Sequence, residues 1–256
     1  MSSSDSARPS SFYDGESVEA LAVRWELPAV RAFSEVTSTL DVAHRMAPAA
    51  PSGTVVLADE QTAGRGRHGR RWQSAPGAGV WLTLIERPSD SRALDVLALR
   101  CGLEAAEALD ALADAPIRLK WPNDLYSGDR KLAGILIETR WRGTAPEWVA
   151  IGFGLNIASP DLETGVGLRQ GTTRLDALDR LLPALRRAAA ATRHLSEAEL
   201  TRWRARDLAV GRVVTEPADG VVQGIDATGA LLIDSDDRTT GYRSGSLTFA
   251  VPLTCS

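Results

Sequence analysis

The spacing of apolar and polar positions divides most of the chain into alternating strand-like and helix-like segments. Short apolar runs typical of buried strands occupy 54–58, 80–85, 117–121, 131–139 and 148–157. Helical spacing occupies 40–46, 92–112, 175–191 and 196–207, and the last of these opens with the capping pattern Ser-Glu-Ala-Glu. Because the three strands from 117 to 157 follow one another without a helix, the pattern predicts an α+β layer. We therefore expect a mixed sheet with helices packed on one face, rather than a doubly wound parallel sheet.

The pattern changes at both ends of this region. After Gly211, short β-type runs at 212–214, 221–225, 231–233 and 247–251 are separated by glycines, which predicts a small β-barrel. Residues 1–16 are rich in serine, proline and charge, so we expect a disordered tail there. The predicted organisation is a tail over 1–16, a large domain over 17–208 and a small C-terminal domain over 209–256.

Composition limits the classes of function. The chain of 256 residues is 44% hydrophobic and 24% charged, as in ordinary globular proteins, and its net charge of −4 gives no global attraction to nucleic acid. No run of about 18 apolar residues and no apolar N-terminal segment occurs, so we expect a cytoplasmic protein without a membrane span. Two cysteines, Cys101 and Cys255, provide neither a disulfide framework nor metal-ligand spacing.

The segment QTAGRGRHGRRW, residues 61–72, is the most informative stretch of the sequence. It places four arginines among three glycines, so a flexible backbone can expose its N–H groups while guanidinium groups surround a cavity. This combination predicts a cradle for an anion. A solvated basic loop and a non-specific nucleic-acid patch remain alternatives. A P-loop is excluded, because Arg70 and Arg71 stand where lysine and Ser/Thr are needed.

Two further segments supply candidate chemistry. The run KWPNDL (120–125), followed by KLAGILIE (131–138), predicts a hairpin that brings Asp124 and Lys131 to one end of the sheet. A surface ion pair is the alternative. The run IGFGLNI (151–157) predicts a strand whose glycines allow close approach of a ligand or of a second backbone.

Taken in order, QTAGRGRHGR, KWPND, KLAGIL and GFGLN closely resemble the biotin protein ligase family. The resemblance is strong from about residue 33 to 157, and the predicted terminal barrel resembles the family's SH3-like domain more loosely. It implies a class II synthetase-like catalytic domain of the kind shared by biotin and lipoate ligases. Only 32 residues precede Phe33, which we interpret as a monofunctional form without the family's N-terminal DNA-binding domain.

The resemblance implies an ATP-dependent reaction in two steps. Biotin and ATP, with Mg²⁺, form biotinoyl-5′-AMP, and biotin then passes to a lysine of a biotin carboxyl carrier domain. We expect no specific DNA partner, no membrane partner, and a monomer or weak homodimer. The alternatives are a lipoate or octanoate ligase and a non-enzymatic biotin-sensing regulator.

The resemblance also assigns roles to residues. Lys131, Asp124 and Arg67 would be catalytic: Lys131 beside the biotin carboxylate and α-phosphate, Asp124 beside the attacking lysine. Trp72 would contact the adenine, although a buried core tryptophan is an alternative, and Asn156 is a candidate magnesium ligand. Leu40 departs from the family pattern, because its apolar side chain cannot form the hydrogen bond expected there. The substrate-binding set implied for biotin and the adenylate is Ser38, Thr39, Leu40, Gln61, Gly64, Arg65, Gly66, Arg67, Arg70, Trp72, Lys131, Gly134 and Asn156.

Overall fold

A computed structural model describes residues 7–236 and 238–253. Its main feature is an eight-stranded mixed sheet in the order β1-β4-β5-β6-β10-β9-β8-β7, in which only β4 and β5 pair in parallel. The strands of this sheet are β1 (Arg8–Ser10), β4 (Val30–Val36), β5 (Thr54–Gln61), β6 (Gly79–Glu86), β7 (Ile117–Lys120), β8 (Asp124–Ser127), β9 (Arg130–Arg142) and β10 (Ala145–Asn156). A small pair, β2 (Phe12–Tyr13) and β3 (Glu16–Ser17), lies outside it.

Five α-helices accompany the sheet. They are α1 (Val18–Arg24), α2 (Thr39–Met46), α3 (Leu97–Leu109), α4 (Arg174–Ala190) and α5 (Glu197–Arg206). The capping box predicted at the start of α5 is present: Ser196 Oγ accepts from the Glu199 backbone, and the Glu199 carboxylate accepts from the Ser196 backbone. The α+β fold class is therefore confirmed in the described residues, with the helices placed largely where the apolar spacing predicted them.

The helices divide between the two faces of the sheet. Side chains on β5 alternate: Val55 and Leu57 belong to the large core that contains α1, α3 and α4, whereas Val56 and Ala58 belong to a second core that contains α2. The expectation that all helices lie on one face is therefore wrong for α2. The helix α2 connects the parallel strands β4 and β5 and packs over β5, β6 and β10, so it covers only the central part of that face of the sheet.

The C-terminal region forms a separate five-stranded antiparallel sheet in the order β14-β13-β12-β11-β15. Its strands are β11 (Val213–Glu216), β12 (Gly220–Ile225), β13 (Leu231–Ser235), β14 (Arg238–Tyr242) and β15 (Thr248–Phe249). The sequence predicted four of these strands and missed β14. The small sheet contacts the large domain, since the Trp121 indole N–H donates to Gly229 O at 3.0 Å.

The N-terminal segment differs from the prediction of a disordered tail over 1–16. Residues 1–6 lie outside the described residues, but β1 pairs with β4 and adds an edge strand to the main sheet. Tyr13 is only 3% exposed and lies under the Arg174 guanidinium, 4.4 Å from the ring centroid. Arg174 is in turn held by the carboxylates of Asp14 and Asp59. These contacts with distant parts of the chain order a segment whose local composition favours disorder.

Candidate active site

The part of the sheet that α2 leaves uncovered is floored by glycines. Gly134 on β9 lies directly opposite Gly154 on β10, and the Trp72 indole lies across both. A Cβ at Gly154 would lie 2.6 Å from Trp72 Nε1, so only glycine allows the ring to lie there. The cavity above this floor has a volume of about 210 Å³, and Trp72 lines it. The alternative of Trp72 as a purely structural core residue is therefore not favoured.

Polar side chains line the end of the cavity nearest α2. The Gln61 Oε1 accepts from Thr39 N at 2.9 Å and from Thr39 Oγ1 at 3.1 Å. Its Nε2 donates to Ser74 Oγ at 2.8 Å, while Thr83 Oγ1 donates to Thr39 Oγ1 at 2.9 Å. Ser38, which is 1% exposed, caps α2 with its hydroxyl. The network fixes a set of donors and acceptors at one end of the cavity.

Leu40 lies beside this polar cluster and lines the cavity. Its Cδ1 would be 3.0 Å from a Cβ at Gly152, so the leucine side chain occupies the space that the glycine leaves on β10. The residue that departs from the expected hydrogen-bonding pattern therefore supplies apolar contact surface instead.

Lys131 and Asp124 meet in the middle of the cavity, as the predicted hairpin requires. Asp124 on β8 pairs with Gly134 on β9, and Lys131 Nζ lies 2.7 Å from Asp124 Oδ1. The ammonium is not aligned to donate to that oxygen, which accepts no hydrogen bond within the described residues although it is buried. The Lys131 ammonium also lies 5.2 Å from the Trp72 ring centroid. The pair thus places a cation and a carboxylate in the same space.

Arg67 connects the loop of residues 61–72, called the Gly/Arg loop from here on, to two other parts of the fold. Its guanidinium donates to Asn123 Oδ1 at 3.2 Å and to Gly245 O, in the connection between β14 and β15, at 3.1 Å. Burial lowers the pKa of Arg67, and the nearby Asp124 carboxylate opposes that effect. An arginine keeps its charge at neutral pH even so, and the loop is closed over the cavity by a charged contact.

Arg65 lies in the same loop but is engaged differently. Its guanidinium forms ion pairs with Asp41 on α2 and with Glu138 on β9. Glu138 also contacts His44 Nε2 at 2.8 Å. Arg65 lines the cavity while its charge is balanced by two carboxylates at the cavity rim.

Two residues of the predicted set do not line this cavity. Gly64 lies at the base of the loop, where its carbonyl accepts from Trp72 N and a Cβ would lie 2.5 Å from Trp72 O. Asn156 is 7% exposed, and its amide donates to Val166 O at 3.1 Å and to Lys131 O at 3.4 Å. Each therefore forms a hydrogen bond with the backbone of a residue that lines the cavity, Gly64 with Trp72 and Asn156 with Lys131. The remaining predicted residues lie around the cavity: Ser38, Thr39, Leu40, Gln61, Arg65, Gly66, Arg67, Arg70, Trp72, Asp124, Lys131 and Gly134.

Several site residues were not singled out from the sequence. Thr83 and Ser74 complete the polar cluster, and Ser246–Thr248 bring the C-terminal sheet to the cavity wall. Lys120, the first residue of the KWPND run, also lines the cavity. The sequence contains just two lysines, Lys120 and Lys131, and both line this cavity. The scarcity of lysine in the sequence could have drawn attention to Lys120, because lysine is normally a surface residue.

Within the described residues, no group of three or more His, Cys, Asp or Glu side chains could hold a metal ion. No α-helix in the same part of the chain is long and apolar enough to cross a membrane.

Comparison with known proteins gives consistent matches. A family model described as the biotin/lipoate A/B protein ligase family matches residues 30–156. The biotin--[acetyl-CoA-carboxylase] ligase of Paracoccus denitrificans is 36% identical over 77% of this chain and 90% of that protein. The bifunctional ligase/repressor BirA of Escherichia coli is 37% identical over 77% of this chain, but the match spans only 66% of that relative.

Among solved structures, the fold is similar to that of the biotin protein ligase from Aquifex aeolicus in complex with biotin and ATP. The TM-score is 0.70 with 25% identity, covering 88% of this chain and 100% of that one. The large mixed sheet, its helices and the C-terminal antiparallel sheet are thus shared with a protein that binds both molecules.

Proposed function

Because the chain belongs to the biotin protein ligase family, we propose that it forms biotinoyl-5′-AMP from biotin and ATP and transfers biotin to a carrier-protein lysine. The observation that carries the proposal is a single cavity that joins a polar recognition end to a cationic centre. The polar end suits the recognition of biotin, and the cationic centre suits the formation of the adenylate.

The polar end suits the ureido group of biotin. Thr39, Gln61 and Ser38 offer hydroxyl and amide groups that can both donate and accept, and a ureido group needs both. Leu40 supplies apolar surface beside them for the rest of the bicyclic ring. A lipoyl dithiolane ring has neither an amide N–H nor a carbonyl, so it could not use the donors and acceptors that this network presents to the cavity. Biotin is therefore favoured over lipoate.

The cationic centre suits formation of the adenylate. A biotin carboxylate oxygen attacks the α-phosphorus of ATP, a new O–P bond forms, and the bond to the bridging oxygen breaks as pyrophosphate leaves with the electron pair. Carboxylate and phosphates repel one another, and Lys131 and Arg67 offset that repulsion at the point of attack. Arg65 joins them by exchanging its two carboxylate partners for the substrate anion. The closed loop keeps water from the mixed anhydride.

Asp124 serves the second step. An acceptor lysine has an ordinary pKa of about 10.4, so only about one in 10³ is neutral at pH 7. The Asp124 Oδ1 that accepts no hydrogen bond in the described residues can accept one from the incoming ammonium, orienting it and receiving a proton. The neutral amine then attacks the acyl carbon, and AMP leaves.

Magnesium is proposed as the counter-ion of the ATP phosphates. Such an ion is usually held by the phosphates, waters and one or two carboxylates, and Asp124 is the carboxylate that the cavity lining offers. When bound it would neutralise phosphate charge. Asn156 does not fit as a ligand here, because its side chain is buried against backbone carbonyls away from the cavity.

The proposal is tested by mixing the protein with biotin, ATP, Mg²⁺ and a purified biotin carboxyl carrier domain. We expect the carrier to gain the mass of one biotin minus water, with one pyrophosphate released per transfer. Lipoate offered in place of biotin should give no gain. Transfer of lipoate in preference to biotin, or no transfer of either, would overturn the assignment.

A further inference from the structure

A series of polar contacts runs from the second core to the Gly/Arg loop. The buried Trp148 on β10 donates its indole N–H to His44 Nδ1 at 3.1 Å, and His44 Nε2 lies 2.8 Å from Glu138 Oε2. The other carboxylate oxygen of Glu138 pairs with the Arg65 guanidinium. Trp148, His44 and Glu138 lie outside the cavity lining, whereas Arg65 belongs to it. The contacts therefore connect a cavity residue to side chains that no substrate in the cavity would touch.

The indole of Trp148 determines which nitrogen of His44 can donate. An indole N–H is a donor only, so Nδ1 of the imidazole must offer a lone pair to it, and the proton of the neutral ring then lies on Nε2. That N–H is within hydrogen-bond distance of the Glu138 carboxylate. The indole thus fixes both the orientation of the ring and the tautomer in which His44 donates to Glu138.

Glu138 depends on His44 once Arg65 moves. In the proposed function Arg65 leaves Asp41 and Glu138 for the substrate anion, so both carboxylates lose their cation. Asp41 lies in the first turn of α2, where the helix N-terminus favours a negative charge. Glu138 lies on a strand with its side chain only 28% exposed, and in the described part of the chain its remaining polar partner is His44. A partly buried carboxylate that loses its partners is costly.

We propose that His44 is a positioning residue that stabilises the Glu138 carboxylate after Arg65 has turned to the substrate, and so makes release of the arginine easier. The inference rests on the proposed function, in which Arg65 binds the substrate anion. Trp148 acts through His44, because its N–H keeps the donor nitrogen of the imidazole facing Glu138. The affinity for an anionic ligand thus depends on a histidine and a tryptophan outside the cavity.

The test compares His44→Leu and His44→Gln with the parent protein. Leucine suits the helix but removes both hydrogen bonds, whereas glutamine keeps a donor for Glu138 and an acceptor for Trp148. In His44→Leu we expect the Kd for biotinoyl-5′-AMP, measured by calorimetry, and the KM for ATP to rise about tenfold, as for loss of one hydrogen bond to a partly exposed charge. The kcat should stay within about threefold, because Arg65 binds the anion in the ground and transition states alike. His44→Gln should recover most of the affinity.

Glu138→Gln separates this role from a packing role of His44. A neutral glutamine holds Arg65 less firmly and leaves no charge for His44 to stabilise, so the affinity for the adenylate should be at least that of the parent. Adding His44→Leu to Glu138→Gln should then change the Kd by less than about twofold. A full tenfold loss in the double variant, or equal losses in His44→Leu and His44→Gln, would overturn the proposal, since either result indicates packing alone.

Limited proteolysis without substrate distinguishes failure of this proposal from failure of the proposed function. None of the variants alters a trypsin site in the Gly/Arg loop. Cleavage within that loop, located by mass spectrometry, should be slower than in the parent in His44→Leu, where Glu138 holds Arg65 more firmly, and faster in Glu138→Gln. Equal rates in all three proteins would contradict the coupling even if the parent is an active ligase. The expected order of rates in a parent that neither forms nor binds the adenylate would support the coupling while the ligase assignment failed alone.

Discussion

Replacing Arg67 with glycine should convert a closed site into one that leaks its intermediate. Arg67 is the side chain that joins the Gly/Arg loop to Asn123 and to Gly245, in the connection between β14 and β15. Arg67→Gly removes both hydrogen bonds and adds backbone freedom to a loop that already contains three glycines. The loop should then spend more time open while the adenylate is bound.

The size of the effect follows from those two contacts. Hydrogen bonds from a charged donor are worth about 1.5 to 3 kcal/mol each, and the half-buried position of Arg67 places them at the lower end. Their loss costs about 3 kcal/mol, which shifts the ratio of open to closed loop by about 100-fold. Affinity for biotin and ATP should fall as well, because the guanidinium lines the cavity in which both are proposed to bind.

The assay incubates the variant with biotin, ATP and an unrelated lysine-rich protein. Biotin incorporated into that bystander, and biotinoyl-5′-AMP recovered in an ultrafiltrate, should both rise well above the parent values per adenylate formed. Arg71→Gly is the matched control, since Arg71 contacts the carbonyl of Thr62 within the same loop and does not line the cavity. Equal leakage from Arg67→Gly and the parent, at comparable rates of adenylate formation, would refute the idea that the Arg67 contacts keep the loop closed.

Three further variants test other parts of the structure. Lys131→Ala should lower biotin-dependent pyrophosphate release by about 10² with an unchanged melting temperature, and normal release would remove Lys131 from the reacting centre. Gly154→Ala places a Cβ 2.6 Å from Trp72 Nε1 and should reduce adenylate formation through a displaced indole, whereas parent-level activity would show that the ring can move without cost. Glu199→Gln should lower the free energy of unfolding by about 3 kcal/mol, measured by urea titration at pH 7, because it leaves the buried Arg100 without its carboxylate. Burial would raise the pKa of Glu199, but hydrogen bonds from Arg100 and its helix cap lower it to about 2, so its stabilisation is complete above about pH 4.5 and disappears toward pH 2. The parent should therefore lose more stability over that interval than the glutamine variant, in which other carboxylates with a lowered pKa, such as those of Asp176 and Asp179, still titrate. Parallel pH profiles would contradict the pairing.

Local patterns predicted the parts of this fold that local sequence controls. The capping box at Ser196 and the hairpin that brings Asp124 to Lys131 depend on residues a few positions apart, and both are present. The order of Tyr13 was not predictable in this way. It depends on Arg174, more than 150 positions away in the chain, and no local composition reports such a contact.

The site residues divide in the same way, into those with a local sequence signal and those without one. Gln61 and Arg67 were predicted because they stand in a recognisable run, whereas Thr83 was missed because a threonine on an apolar strand carries no signal of its own. Asn156 also stands in such a run, and its role as a ligand contact stays a prediction. It follows a glycine-containing strand beside the site, but its side chain braces the carbonyl of Val166 and that of Lys131. Motif membership therefore predicted which residues lie in or next to the cavity, whereas their contacts with a ligand stay predictions.

The placement of the only two lysines has a consequence for how the protein would react with the proposed biotinoyl-adenylate. A biotinoyl-adenylate that escapes acylates amines without selectivity, and elsewhere this chain carries arginine, whose guanidinium stays protonated and does not act as a nucleophile. The outer surface therefore offers no lysine ε-amine to the escaping reagent. The same property makes amine-directed labels selective: an activated ester that modifies a lysine of this protein can do so only inside the cavity, where prior binding of biotin and ATP would shield the two residues.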